Sequence, residues 1–166
     1  KWIEKVVVNS LKNIKVEKFE CLLLHHSSCL LGKNGDEIYK SMKYMKANSF
    51  TNKIGIVLYD LSQLEKILKK FKLDVIQAPL NVCEQSLVKK NFLKKLKKKK
   101  IEIHVRSIFL QGILLKKYQK FPQILKNSQN SNSWLLWEKW LKKNKISALQ
   151  ACLEFVLSQR GIDRVV

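Results

Sequence analysis

The residues able to do chemistry in this 166-residue chain sit at the ends of short apolar runs or inside them. Phe19 to Ser28 reads FECLLLHHSS, and its apolar part stops abruptly at His25 and His26. A run that short, bounded by polar residues, reads as a strand buried on both faces of a parallel sheet, with the histidines at its carboxyl end. In α/β barrels and open sheets that is the end where sites are built. A neutral imidazole N–H there can hydrogen-bond an oxygen on which negative charge develops; the plainer alternative is a hydrogen-bonded surface histidine. Gln77 is the one polar residue inside another apolar run, DVIQAP. A buried amide needs polar partners, so it answers either a ligand or a neighbour in the core.

The four cysteines, Cys21, Cys29, Cys83 and Cys152, form no C-x-x-C pair, and no His-x-x-x-His occurs. Zinc ligation and a disulfide framework are therefore unsupported, no metal is expected, and most of these thiols read as small core hydrophobes in a reducing cytoplasm. The net charge of +20 invites a nucleic-acid reading, but only Arg106, Arg160 and Arg164 are arginine. Base and phosphate recognition favours the arginine fork, and no aromatic-studded basic strand is present. The lysines read as solvated helix faces. No apolar run approaches the ~18 residues of a membrane helix. The chain opens on Lys1 and closes on Val165-Val166 within an apolar segment, so both ends read as cut.

These residues need elements to position them. Residues 2–14 place Trp2, Ile3, Val6, Val7, Leu11 and Ile14 at helical spacing before the first strand. Residues 30–35 read as a loop, with Asp36 capping a helix of core stripe Ile38, Met42 and Met45 that stops near a left-handed Asn48. KIGIVLY (53–59) is a second strand, followed by an Asp60/Gln63 capping box and a helix through Phe71. DVIQAP (74–79) is a third strand, one helix covers Leu87 to Leu96, and IEIHVRSIF (101–109) is a fourth strand. Pro122 opens a short helical turn, and Asn127 to Ser133 is a polar loop. Trp134, Trp137 and Trp140 clamp one helix face; a helix over 147–158 turns Leu149, Cys152, Leu153, Val156 and Leu157 inward; Ile162 to Val166 begins a fifth strand. Strands alternating with helices imply right-handed βαβ units and a parallel sheet. No G-x-G-x-x-G follows any strand, which favours a barrel over a dinucleotide-binding doubly wound sheet.

Four stretches in order resemble the aldo-keto reductases: LLLHHSS the fourth barrel strand, KIGIVLY the fifth, DVIQAPLN the sixth, and HVRSIFLQGILL the seventh with its loop. The resemblance implies an α/β fold of parallel strands, a partial (β/α)8 TIM barrel covering about strands 4 to 8 with their helices. It also implies one partial domain over 1–166, truncated at both ends, that reduces an aldehyde or ketone with NADP(H), or NAD(H). His25 matches the family's catalytic histidine, with His26 as second choice. Gln77 matches the residue that holds the nicotinamide carboxamide. Arg106 falls where many members stack a tyrosine on the nicotinamide, and its planar guanidinium can stack too. Ser107 and the backbone from Phe109 to Gly112 match the loop over the pyrophosphate, with Gly112 allowing close backbone approach.

Val57 and Leu58 depart from the pattern, since members usually carry polar residues there. The family's aspartate, tyrosine and lysine belong to strands with no counterpart on this chain, and Tyr39, Tyr44, Tyr59 and Tyr118 do not stand in the tyrosine's place. The resemblance thus implies an incomplete or inactive piece of a reductase whose partners are a carbonyl substrate and a nicotinamide cofactor, with no membrane and no specific nucleic acid. The alternatives are a non-catalytic remnant or interaction module, and last a basic nucleic-acid binder. Unpaired sheet edges at 19–24 and 162–166 favour self-association. If the lysines only solvate helix faces, binding to duplex or single-stranded nucleic acid will be weak and sequence-independent. Anisotropy titrations should show it falling steeply between roughly 50 and 200 mM salt; sequence-selective binding that survives the higher salt would contradict this.

Overall fold

Five short runs of β-branched and apolar residues pair as one parallel sheet in the order β1-β2-β3-β4-β5. The strands are β1 (Phe19–Leu24), β2 (Thr51–Val57), β3 (Val75–Pro79), β4 (Glu102–Arg106) and β5 (Arg164–Val165). The computed structural model describes residues 2–121, 123 and 131–166. Helix α1 (Trp2–Ile14) precedes β1, α2 (Gly35–Ala47) leads to β2, and α3 (Leu64–Lys70) leads to β3. Helices α4 (Ser86–Lys89) and α5 (Phe92–Lys98) lead to β4, and α6 (Ser131–Asn144) and α7 (Ala148–Leu157) lie between β4 and β5. Strands that neighbour each other in chain order, each reached through a helical crossover, are the construction of a barrel wall. A doubly wound sheet would reverse its order part-way.

Alternation along the strands gives the sheet two unlike faces. Ile76, Ala78, Ile103 and Val105 are fully buried in one core with Leu64, Ile67, Leu87 and Leu96 of the helices. The register Gln77↔His104 and Pro79↔Arg106 puts these four on the opposite face. β2 is pressed close between its neighbours. A Cβ at Gly55 would lie 2.2 Å from the Val75 carbonyl oxygen and 2.9 Å from Leu23 Cδ2, so only glycine fits. β1 differs from the sequence expectation: Cys21 to Leu24 are half-buried, because β1 is an edge strand with a neighbour on one side only.

The polar face carries an ion network at the strand starts. Lys53 Nζ lies 2.6 Å from Glu102 and 2.7 Å from Glu20. Glu102 also binds His104 Nε2 at 2.9 Å and Arg164 Nε at 3.1 Å. The network spans β1, β2, β4 and β5.

Other local expectations shift by a residue or two. The span 27–31 is a short 3-10 helix rather than open loop. Asn34, not Asp36, is the N-cap of α2, and Asp36 pairs with Lys70 at 2.9 Å. Ser49 takes the left-handed conformation (φ 64°) expected of Asn48, whose amide instead donates to the Tyr44 carbonyl. Asp60 accepts from the Ser62 N–H and hydroxyl, so no box forms with Gln63. The single helix expected over 87–96 is broken at left-handed Asn91 (φ 56°). In α7, Ala151, Cys152 and Val156 are buried while Leu149 and Leu157 face out: Cys152 packs in the cluster of Leu114 and Val156 in the main core. Only Cys152 is a core thiol; Cys29 and Cys83 are exposed. Trp134 is buried, whereas Trp140 is half-exposed and stacks on Trp137. Pro122 and residues 127–130 lie outside the described residues, and 131–133 open α6.

The network makes stability depend on acid. Hydrogen bonding from Lys53, then from His104, pulls the Glu102 carboxyl from 4.5 down to about 2. A folded value below the unfolded one means the contribution is full above pH 4.5 and is lost as pH falls to about 2. Urea melts of the wild type and Glu102→Gln should therefore differ most near neutral pH and converge below pH 3; a constant difference would refute it.

Candidate functional site

The carboxyl ends of β1, β2 and β4 carry a linked row of side chains. His25 follows β1 directly, and its Nε2 lies 2.8 Å from the Tyr59 hydroxyl. Its Nδ1 lies 3.4 Å from His26 Nε2. Tyr59 stands two residues past β2, and Arg106 Cζ lies 4.4 Å from the centre of its ring. A guanidinium over an aromatic face contributes about 0.5–1 kcal/mol at an exposed site. Arg106 is the last residue of β4; its Nη1 donates to Ser107 Oγ at 3.1 Å and its Nη2 to the Leu58 carbonyl at 3.4 Å. Its buried Nε has no hydrogen-bond partner among the described residues. The chain of contacts thus runs His26–His25–Tyr59–Arg106–Ser107.

The loops are pinned from below. Asn81 is buried, and its Nδ2 donates to the Ser107 carbonyl at 3.0 Å. Its Oδ1 accepts from the N–H groups of Cys83 and Glu84, each at 2.9 Å. One amide so ties the loop after β3 to the residue after β4. Ser107 holds φ 58°, and Leu110, Gln111 and Gly112 are left-handed as well. Such a conformation costs a non-glycine residue of the order of 1–3 kcal/mol and persists only where the surroundings over-determine it. The Asn81 bond and the Arg106–Ser107 contact supply that constraint.

Of the residues singled out in the sequence, His25, Arg106 and Ser107 are brought together. Gln77 is half-buried on the Arg106 face of the sheet, two residues nearer the strand start, and its amide has no hydrogen-bond partner among the described residues. Gly112 begins the turn Ile113–Leu115, and a Cβ built on it would meet nothing within 4 Å. No side-chain hydrogen bond, ion pair or ring contact among the described residues joins Gln77 or Gly112 to the His25–Arg106 row, though the Gln77 carbonyl accepts from the N–H of Leu58, whose own carbonyl takes Arg106. A free amide, an unpartnered guanidinium nitrogen and open space beside the Gly112 backbone are features that a nicotinamide cofactor would satisfy. Leu58 is fully buried and offers only its carbonyl, which Arg106 uses.

Tyr59 and Asn81 were not expected as site residues. The only sequence signals were a tyrosine closing KIGIVLY and an asparagine closing DVIQAPLN. A cavity of about 850 Å³ lies elsewhere, lined by Val82, Cys83, Leu110, Trp134, Trp137 and Trp140 among others, and none of the row reaches it. No three His, Cys, Asp or Glu side chains gather as metal ligands among the described residues. No helix there is long and apolar enough to cross a membrane.

The model of the aldo/keto reductase family matches residues 1–166. An aldo-keto reductase from Bacillus halodurans, in its holo form, superposes with TM-score 0.80 at 16% identity, over 98% of this chain and 53% of that one. A glycerol dehydrogenase from Gluconobacter oxydans gives 0.71 at 20%, over 98% and 53%. An aldo/keto reductase from Klebsiella pneumoniae, in complex with NADP and acetate, gives 0.69 at 14%, over 99% and 53%. These likenesses establish the fold, a parallel half of a β/α barrel. The chain spans about half the length of the solved structures it matches. No curated protein matches the sequence.

Replacing Asn81 by alanine should leave two N–H groups and one carbonyl without their partner. The expected cost is about 1–3 kcal/mol in chemical denaturation. An unchanged midpoint would remove Asn81 from its role as the pin.

Proposed function

The chain belongs to the aldo/keto reductase family, and from that premise we propose that it supplies the histidine-bearing half of a cytoplasmic reductase that converts an aldehyde or ketone to an alcohol. The observation that carries this reading is the row His25–Tyr59–Arg106–Ser107 at one end of the sheet. Gln77 holds the carboxamide of the nicotinamide, the Arg106 guanidinium packs on its ring, and Ser107 with the backbone from Phe109 to Gly112 takes the pyrophosphate. NADP(H), or NAD(H), supplies the hydride when bound. His25 orients the carbonyl and stabilises its oxygen as charge builds, an interaction stronger in the transition state than in the ground state. Leu58 leaves the carboxamide without a side-chain grip on the β2 side, so Gln77 carries more of that contact.

The family's aspartate, tyrosine and lysine have no counterpart among these residues, so the 166-residue chain alone is expected not to turn over. Steady NADPH oxidation by it, abolished in His25→Ala, would overturn that expectation. In a protein joined to a β/α segment bearing those three residues, His25→Ala should lower kcat by ~10²–10³ and leave cofactor affinity nearly intact. Gln77→Ala should do the reverse, weakening NADP(H) binding by about 0.5–1.5 kcal/mol in a fluorescence titration. Loss of turnover and cofactor binding together in both variants would defeat the division of roles.

A further inference from the structure

Three of the chain's four tryptophans, Trp134, Trp137 and Trp140, lie on α6. With Val82 and Leu110 they line the cavity of about 850 Å³, apart from the row His25–Tyr59–Arg106–Ser107. Apolar residues at helical spacing ordinarily form core, and Trp134 does: it is buried and meets the Phe121 ring edge to face at 5.3 Å. Trp140 does not. It is 47% exposed, and Leu136, also on the cavity wall, is 64% exposed.

The aromatic walls are held by the fold itself. Trp137 Nε1 donates to the Leu114 carbonyl at 3.2 Å, which fixes the plane of its ring. Trp140 stacks on Trp137 with 5.6 Å between ring centres and 8° between planes. The buried indole N–H of Trp134 has no acceptor among the described residues. The cavity volume falls in the range of small-molecule sites, about 300–1,000 Å³.

Charge decides between two ligands that indoles could receive. A cage of indole faces suits a quaternary ammonium, but Lys139 and Lys143 line this cavity, and among the described residues no carboxylate does. Both lysines are exposed, and neither forms an ion pair among the described residues. In a chain of net charge +20 that rim repels a cation and draws an anion. Parallel indoles favour a planar ring over a flexible aliphatic tail, because stacking adds to the gain from buried area.

We propose that this cavity is a second binding site, taking a planar aromatic carboxylate. The ring lies against Trp137 and Trp140, and the carboxylate meets Lys139 and Lys143. This goes beyond the reductase reading and does not rest on it.

2-Naphthoate is the probe, added to the 166-residue chain labelled at its indole nitrogens. It should move the indole N–H signals of Trp137 and Trp140, assigned through Trp137→Phe and Trp140→Phe. The signal of Trp2, on α1, should stay in place. In equilibrium dialysis, Trp140→Ala should bind naphthoate roughly two- to tenfold more weakly, the loss of one stacking partner. The double variant Lys139→Gln/Lys143→Gln changes only exposed side chains. It should weaken naphthoate by a similar roughly two- to tenfold at low salt and leave neutral 2-naphthalenemethanol unaffected. Indole signals unmoved by millimolar naphthoate, equal binding of the carboxylate and the alcohol, or tighter binding of 2-naphthyltrimethylammonium would each overturn the proposal. So would Trp137 and Trp140 signals that shift with protein concentration in the absence of ligand, the mark of an interface between two copies of this chain.

Discussion

The structure depends on side-chain parity along two short strands, β3 and β4. In β3 and β4 the residues Ile76, Ala78, Ile103 and Val105 are all fully buried against the helices. A slip of one residue would exchange them for Gln77, Pro79, His104 and Arg106, burying a guanidinium and an amide in the apolar layer at a cost of several kcal/mol. The register is therefore fixed by the core, and the site inherits it. Arg106 reaches Tyr59 because Val105 cannot face that way. Gly55 adds a steric lock, since the β2–β3 approach leaves no room for a Cβ.

The same parity separates two kinds of charge. Most of the lysines behind the +20 total lie on exposed helix faces. On the polar face of the sheet, by contrast, charges are matched: Lys53 and Arg164 converge on Glu102 and Glu20 at the strand starts. The Lys53 ammonium is shifted up chiefly by hydrogen bonding to Glu102. This paired layer sits at the opposite strand ends from the row His25–Tyr59–Arg106. One end of the sheet face is thus closed by ion pairs, while the other presents donors whose partners are incomplete. In a β/α barrel wall that asymmetry is the division between a stability end and a chemistry end.

What the sequence made legible follows from what periodicity encodes. Strand order, parallel pairing and the core stripes Met42/Met45 and Leu93/Leu96 were readable because apolar spacing reports burial directly. His25 was readable as a strand-end residue for the same reason, whereas Arg106, read inside a strand over 101–109, was marked only by the family resemblance and stands at a strand end because β4 stops there. Tyr59 was not, because its role depends on a guanidinium 47 positions away reaching across a strand end, and no spacing within one segment reports that. Asn81 was hidden similarly, as its three hydrogen bonds join two loops. The broken helix at Asn91 and the left-handed Ser49 escaped because a single φ change leaves the apolar pattern almost intact. β1 escaped because FECLLL has the composition of a central strand while standing at an edge.

A polar row at a strand end is informative only in proportion to how fully its hydrogen bonds are already accounted for. Asn81 uses both ends of its amide within the fold, so it explains itself as structure. His104 is likewise consumed by Glu102. Gln77 and the Nε of Arg106 are not consumed, although one is half-buried and the other fully so. Buried polar atoms without partners cost free energy in every folded molecule. The Nε of Arg106, buried and unpartnered at the chemistry end in contrast to the paired groups of the ion network at the other end, is the physical ground for reading this end as the part that meets a ligand.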